Sequence, residues 1–428
     1  MKFAIYTLGC KVNTYESEYV IKQLELAGYE MVDFNDKADI YIINTCTVTN
    51  TSDQKSRKMI RHAKKQNDQA IIIAMGCHTQ LVENDENILK IADIVIGNTN
   101  KNNLVSLINE FYENHQKILR VENIMNAGFE DMEIGDFKTR TRALVKIEDG
   151  CENYCTYCII PYVRGKVRSK KPERVINEVS NLVKKGYREI VLTGIHTGHY
   201  GSDLINYDFS DLLVALEEIK GLERIRISSI EITELNDKFL EILKVSKKIV
   251  NHIHIPLQSG CDKILKLMNR KYDSAYFYEK ISKIRKIRPL MAITTDVIVG
   301  FPGESQEDYE ITKSFIENIA FAGGHVFPYS IRKNTKAAIM EGQVLKEIKH
   351  QRSKDLIMVF KKLEHNYYKK YLEKEVIVIP ESFNNGVLTG HTENYLKVSF
   401  NGLKTEIGNN VIIKTIKLEN NELFGIKK

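Results

Sequence analysis

Residues 143–158 read ALVKIEDGCENYCTYC. The apolar run ALVKIED (143–149) predicts a β-strand, and the glycine after it predicts a turn. Cys151, Cys155 and Cys158 then fall within eight residues. Toward the C-terminus, strand-like runs recur between helical patterns: EIVLTG, RIRISS, HIHIPL, ITTDVIVG and GGHVFPY. About six β/α units over about 200 residues predict a full or partial (β/α) barrel. The cysteines therefore sit where the first barrel strand ends, the edge at which such folds bind ligands.

Toward the N-terminus the alternation has a second set of members. FAIYTLG (3–9), DIYIINT (39–45), AIIIAMG (70–76) and ADIVIG (92–97) are continuous apolar runs separated by helical patterns. They predict a parallel α/β sheet within residues 1–115. Residues 118–137 read as an irregular connector. Beyond the barrel, a helical segment of roughly 345–372 carries Leu356, Val359, Phe360, Leu363 and Tyr367 at helical spacing. EVIVIPES, NYLKVSF and NNVIIKTIKL then predict a small all-β module. The expected fold is an α/β multidomain chain: a parallel sheet domain at 1–115, a partial (β/α) barrel at 137–367 and a small all-β barrel at 370–428.

Composition agrees with a globular chain of this kind. Its 428 residues are 43% hydrophobic and 28% charged, which excludes wholesale disorder, collagen and coiled coil. No apolar run approaches the ~18 residues of a membrane span. The start, MKFAIYTLGCKVN, lacks the pattern of a signal peptide, so a cytoplasmic location is expected. Seven cysteines without a secretion signal favour metal ligation or catalysis over disulfides. The net charge of +6 is uneven: 51–65, 138–171 and 331–370 carry +5, +6 and +7. Such clusters suit a polyanion, although solvated helix faces have the same composition.

Three thiolates spaced as Cys151, Cys155 and Cys158 can hold three irons of a [4Fe–4S] cube and leave the fourth iron open. Zinc sites prefer two-residue gaps and four ligands. Cys10, Cys46 and Cys77 each lie one residue past a predicted strand. The carboxyl ends of parallel strands share one edge, so these three thiols are expected to converge on a second cluster. The alternative is three unrelated buried thiols. Cys261 has no partner by this logic and reads as structural or incidental.

A C-x3-C-x2-C loop after the first strand of a β/α barrel resembles the radical S-adenosylmethionine (SAM) superfamily. The resemblance implies that the open iron binds SAM and that reductive SAM cleavage yields a 5′-deoxyadenosyl radical. LTGIHTG (192–198), with Gly194 and His196, ends a strand in a turn whose backbone would approach the methionine part of SAM. DVIVGFPGE (296–304), with Gly300, resembles the later glycine-rich SAM segment, and Tyr157 occupies the aromatic position near the adenine. Each of these also fits an ordinary turn or core role. No catalytic residue beyond the cluster ligands is implied.

Over nearly its whole length the chain resembles the radical-SAM methylthiotransferase family, MtaB type. The carrying motifs are TLGCKVNTYES, NTCTVTN with KSRK, DGCENYCTYCIIPYVRGKVRS, LTGIHTGHYG, HIHIPLQSGCDKILKLMNRKY and HVFPYSIRKNT. SSIEIT (228–233) departs from the pattern at Ile232, where a proline is expected. The resemblance implies 2-methylthiolation of N6-threonylcarbamoyladenosine at position 37 of tRNA. The cluster on Cys10, Cys46 and Cys77 would supply sulfur and a second SAM the methyl group. It further implies a tRNA anticodon stem-loop as partner, a flavodoxin- or ferredoxin-type electron donor, a monomer, no membrane, and a C-terminal TRAM module that binds RNA. The rival readings are methylthiolation of a ribosomal-protein aspartate or of isopentenyladenosine tRNA, and a non-catalytic RNA-binding metalloprotein. The three basic stretches are expected to grip phosphates, with Lys354, Lys361 and Lys362 opposite the apolar stripe of their helix. Residues 371–428 have no net charge, and Tyr395 and Phe400 suit either base stacking or core packing.

Overall fold

The computed structural model describes residues 1–135 and 141–428. Lys138 and Arg140 of the 138–171 basic stretch, and the barrel boundary expected at 137, lie outside the described residues.

The N-terminal part is a six-stranded parallel sheet. Across it the order is Glu30–Met31, Lys2–Thr7, Ile40–Thr45, Ile71–Gly76, Ile94–Ile96 and Ile118–Arg120. The four apolar runs are its inner strands. Ile42 and Ile73 face one core, and Tyr41 and Ile72 face the other, because successive side chains alternate across a strand. Helices cover both faces, so the runs are apolar without interruption. The reading of 118–137 as irregular is corrected at its start, since Ile118–Arg120 pairs with Ile94–Ile96. Three residues at a sheet edge carry too little periodicity to announce a strand.

The central part holds six parallel strands in chain order. Ala143–Lys146, Glu189–Thr193 and Arg224–Ile227 form one group. His252–His254, Ala292–Val299 and Gly323–Pro328 form the other. Parallel bridges Ile225 to Ile249 and Ser229 to His254 join the two groups. The arc is a partial barrel around one core that includes Val145, Leu192, Ile227, Ile253 and Val297.

Helix Lys346–Lys369 packs on the last barrel strand. Gly324 makes this possible, because a Cβ there would come 2.3 Å from the Phe360 ring. Leu356, Phe360 and Tyr367 are buried, while Val359 and Leu363 pack partly buried on the barrel core. The C-terminal module is a closed five-stranded barrel of Glu375–Asn384, Val387–Thr392, Lys397–Asn401, Glu422–Lys427 and Val411–Glu419, in that spatial order. Phe400 belongs to its core. Tyr395 sits in a turn with φ +66°. Among the described residues no helix is long and apolar enough to cross a membrane.

Candidate active site between two cysteine triads

The barrel cysteines occupy the loop between Ala143–Lys146 and the short helix Ile160–Arg164. The Cys158 N–H donates to the Cys155 carbonyl at 2.9 Å, and the Cys151 N–H donates to Gly165 O at 3.0 Å. Arg270, held by Glu231 and by the Tyr272 hydroxyl, donates from Nη1 to the Cys155 sulfur at 3.3 Å. The Cys151 sulfur lies 3.7 Å from His196 Nδ1. Burial pushes Cys158 up to about 12, and the Cys155 sulfur adds to this. Half-buried thiols gathered this closely resist ionising together, so the donor set suits a metal centre that takes up their charge.

The sequence-predicted SAM segments border this loop. A Cβ at Gly194 would come 2.6 Å from Glu148 Oε2. Glu148 is fully buried; its Oε2 accepts the His196 N–H at 2.7 Å, and its Oε1 has no partner. An unpaired buried carboxylate oxygen suits a cationic or N–H-bearing ligand group. His196 stacks on His199 at 3.8 Å and contacts Glu234. Burial holds the His196 imidazole down to about 4 and raises Glu234 to about 7. Tyr157 packs edge-on to Phe301, at 6.3 Å between centroids, and so adjoins Gly300. Gly300 has a local reason to be glycine: its φ is +68°, and a Cβ would strike Lys349 Cγ at 2.4 Å.

The second triad converges at the carboxyl edge of the N-terminal sheet. Gly9 lies against Cys46, with a Cβ built on it 3.2 Å from the Cys46 Cβ. The Cys77 N–H donates to Thr45 O at 3.1 Å, one residue before Cys46. Burial pushes Cys77 up to about 11; Arg164 opposes the shift, and the Cys10 and Cys46 sulfurs are close enough to add to it. Arg164 donates from Nε to the Cys77 sulfur at 3.2 Å and from Nη2 to Asn13 Oδ1 at 2.7 Å. Asn13 Oδ1 also lies 3.9 Å from the Cys10 sulfur. The three thiols thus form one site. Beside them, His78 bridges Asp53 at 2.6 Å and Asp85 at 2.7 Å, and Arg332 contacts Asp53.

The sequence reading missed Arg164, Arg270, Glu148 and His78. Each stands within one to nine residues of a quoted motif cysteine, but their signal is a lone polar residue, which has many other uses. Cys261 is buried at the start of helix Asp262–Leu267 and donates its thiol to Asp308 Oδ1 at 3.3 Å.

A cleft of about 1080 Å³ joins the parts. Cys10 and Lys11 line it from the N-terminal domain, Gly194 and Arg226 from the barrel, Lys361 from the long helix and Tyr395 from the C-terminal module. Residues 145–316 match the Radical SAM superfamily model, and residues 2–97 match Uncharacterized protein family UPF0004. The chain is 45% identical to the Threonylcarbamoyladenosine tRNA methylthiotransferase MtaB of Bacillus subtilis, over 97% of this chain and 93% of that protein. It is 39% identical to the protein of that name in Aquifex aeolicus, over 95% and 98%. It is also 38% identical to the tRNA-2-methylthio-N(6)-dimethylallyladenosine synthase of Clostridium botulinum, over 99% and 96%.

The chain belongs to the radical-SAM methylthiotransferase family.

This methylthiotransferase is an enzyme of radical SAM type, a class that uses SAM and a [4Fe–4S] cluster. Its fold is shared by the radical SAM methyltransferase TsrM of Kitasatospora setae, with a TM-score of 0.58, 12% identity and coverage of 79% of this chain and 75% of that one.

The expectation that all three basic stretches grip RNA is corrected. In 138–171, Lys146, Arg164, Arg168 and Lys170 are buried. Lys146 and Arg164 meet Glu16 at 2.9 and 2.6 Å and Asp149 at 2.7 and 3.1 Å, and Lys170 meets Glu178 at 2.8 Å. Lys146 and Arg164 thus dock the N-terminal domain to the barrel through Glu16, and Lys170 is paired inside the barrel itself, because a buried cation must be paired. Arg332 and Arg352 of 331–370 are likewise buried against Asp53 and Glu304. Lys354, Lys361 and Lys362 are exposed, as are Lys55, Lys58, Arg61 and Lys65 of the helix Asn50–Gln66.

Proposed function

We propose that the chain converts N6-threonylcarbamoyladenosine at position 37 of tRNA to its 2-methylthio derivative. The observation that carries this reading is the shared cleft. One space is bordered by Cys10 of the second triad, by the Gly194 turn of the barrel and by Tyr395 of the C-terminal module, and its volume of about 1080 Å³ admits a nucleoside. The names of the 45% and 39% identical relatives support the choice of base.

In this reading Cys151, Cys155 and Cys158 hold the SAM-binding [4Fe–4S] cluster, and Cys10, Cys46 and Cys77 hold a second one. When bound, SAM and the clusters supply the electron transfer, the hydrogen-abstracting radical, the sulfur and the methyl group. The chain's own residues bind and orient. Arg270 steadies Cys155, Arg164 steadies Cys77, and Gly194, His196, Gly300 and Tyr157 border the SAM position with the unpaired Glu148 oxygen. The barrel core beneath the cleft keeps water from the reacting atoms. Residues 1–115, 137–367 and 370–428 act as sulfur-donor, radical and RNA-binding parts. Lys354, Lys361 and Lys362 contact the anticodon stem-loop. A flavodoxin- or ferredoxin-type protein delivers electrons, and the enzyme works as a monomer in the cytoplasm.

Nucleoside analysis of tRNA from cells with and without the protein tests the reading. Loss of 2-methylthio-N6-threonylcarbamoyladenosine is the expected result. Loss of the methylthiolated isopentenyl or dimethylallyl nucleoside instead would move the assignment to that base.

A further inference from the structure

The wall of the cleft beside Cys10 is built from cations. Lys11 follows Cys10 directly and is exposed to the cleft. Arg226, on strand Arg224–Ile227, lines the same wall with its side chain only 2% exposed. Its Nε donates to Glu189 Oε1 at 2.6 Å, but Nη1 and Nη2 have no partner. Arg142 lies nearby, and both arginines are close enough to Lys11 to repel its charge. The Tyr395 ring covers Arg226 at 4.2 Å and Arg142 at 5.2 Å.

The carboxylates around this wall are already engaged. Glu189 takes Arg226 and, at 3.5 Å, Arg224. Glu381 takes Arg142 at 2.5 Å and His391 at 2.8 Å. Asp296 takes His254 at 3.2 Å. Lys11 makes no salt bridge with these carboxylates, although Asp296 is near enough to attract its charge, and Nη1 and Nη2 of Arg226 are buried without an acceptor. A buried guanidinium edge with two idle N–H-bearing nitrogens costs free energy unless a planar acceptor meets it. A carboxylate is the acceptor whose shape fits.

We propose that Lys11 and Arg226 bind the free carboxylate of the threonine moiety on the substrate's N6 substituent, and so select an acidic nucleoside over a neutral isoprenoid one. This rests on the functional reading above. The chemistry of the base places the charge suitably, because N6 and C2 lie on the same edge of adenine. A substituent on N6 therefore projects along the side of the base that must face the sulfur donor, and Lys11 adjoins Cys10 in that donor's triad. The Tyr395 ring covers the guanidinium at 4.2 Å, and its two unpartnered nitrogens are buried, so a ligand reaches them when that ring gives way. Sites built around a charged contact reject analogues that lack it, because the site's own groups then stay unpaired.

The test uses the reconstituted full-length enzyme and three anticodon stem-loop RNAs. One carries threonylcarbamoyladenosine, one the same nucleoside with threoninamide in place of threonine, and one isopentenyladenosine. Wild-type enzyme is expected to bind the acid RNA roughly ten- to a hundredfold more tightly than the amide RNA, the range of a charge-assisted bidentate contact. Lys11→Gln and Arg226→Gln should each narrow that gap by weakening binding of the acid RNA alone. Lys11 is exposed, so its variant keeps the fold even if the Arg226 variant does not. Equal wild-type affinity for acid and amide, with methylthiolated product still formed from the acid RNA, would overturn the carboxylate pocket and leave the functional reading standing. Absence of product from the acid RNA would overturn the functional reading and the pocket's ligand with it.

Discussion

Arg164 Nε donates to the Cys77 sulfur at 3.2 Å, while its Nη1 meets Glu16 at 2.6 Å and Asp149 at 3.1 Å. Arg164 ends the helix that follows the barrel cysteines, and Cys77 belongs to the other triad. From the helix that follows the barrel cysteines, one buried side chain therefore ties the Cys77 site to the interface between the two domains. Replacing it by Gln leaves Glu16 and Asp149 with less compensation. The expected loss of stability is about 3–5 kcal/mol, the usual result of removing one partner from a buried ionic network. Chemical denaturation measures it, and a cost below about 1 kcal/mol would show that Lys146 and the buried Lys101, 3.5 Å from Glu16, compensate alone.

The two triads should separate in function. Cys155→Ala is expected to abolish 5′-deoxyadenosine formation from SAM under dithionite, since each barrel thiolate anchors one iron. Cys77→Ala should still cleave SAM but yield no methylthiolated RNA, with iron per chain lowered by about half. Full iron and full product in Cys77→Ala would make the second triad structural.

Lys354, Lys361 and Lys362 project from helix Lys346–Lys369 into solvent, and Lys361 also borders the cleft. Changing all three to Gln should weaken tRNA binding and flatten the slope of log affinity against log salt by roughly two to three units, about 0.7–0.9 per lost phosphate contact. SAM cleavage without RNA should not change. A wild-type slope in the triple variant would move the RNA footprint to the exposed cations of Asn50–Gln66.

Asp308 offers a pH test through Cys261, the cysteine outside both triads. Burial works to raise its pKa, but Lys263, the Ser305 backbone and hydroxyl, and the Cys261 thiol hold it down to about 2. A carboxyl depressed on folding stabilises the protein above its ordinary 3.8, and that contribution is lost as the pH falls toward 2. Asp308→Asn should therefore cost on the order of 1 kcal/mol near neutrality, limited by the exposure of Lys263. The difference from wild type should shrink as the pH is lowered through this window. A difference independent of pH would assign the effect to helix capping alone.

The chemistry of residues 151–158 is legible in the sequence because the three ligands are local, and a loop at a strand end presents them together. Cys10, Cys46 and Cys77 are legible for a different reason. The carboxyl ends of parallel strands share an edge, so a run of apolar residues followed by a cysteine carries its own spatial address. The strands Glu30–Met31 and Ile118–Arg120 were not legible, since two or three residues hold no period. The basic stretch at 138–171 was misleading. Charge counts do not distinguish Lys171, which is exposed, from Lys170, which is buried on Glu178. That difference depends on which carboxylate the following helix Pro172–Lys184 turns toward each lysine. The cation wall of Lys11, Arg142 and Arg226 is likewise a product of tertiary structure alone. Lys11 and Arg226 stand on separate domains, Tyr395 reaches them from a third, and whether a guanidinium edge is satisfied or idle is settled only when all three are packed together.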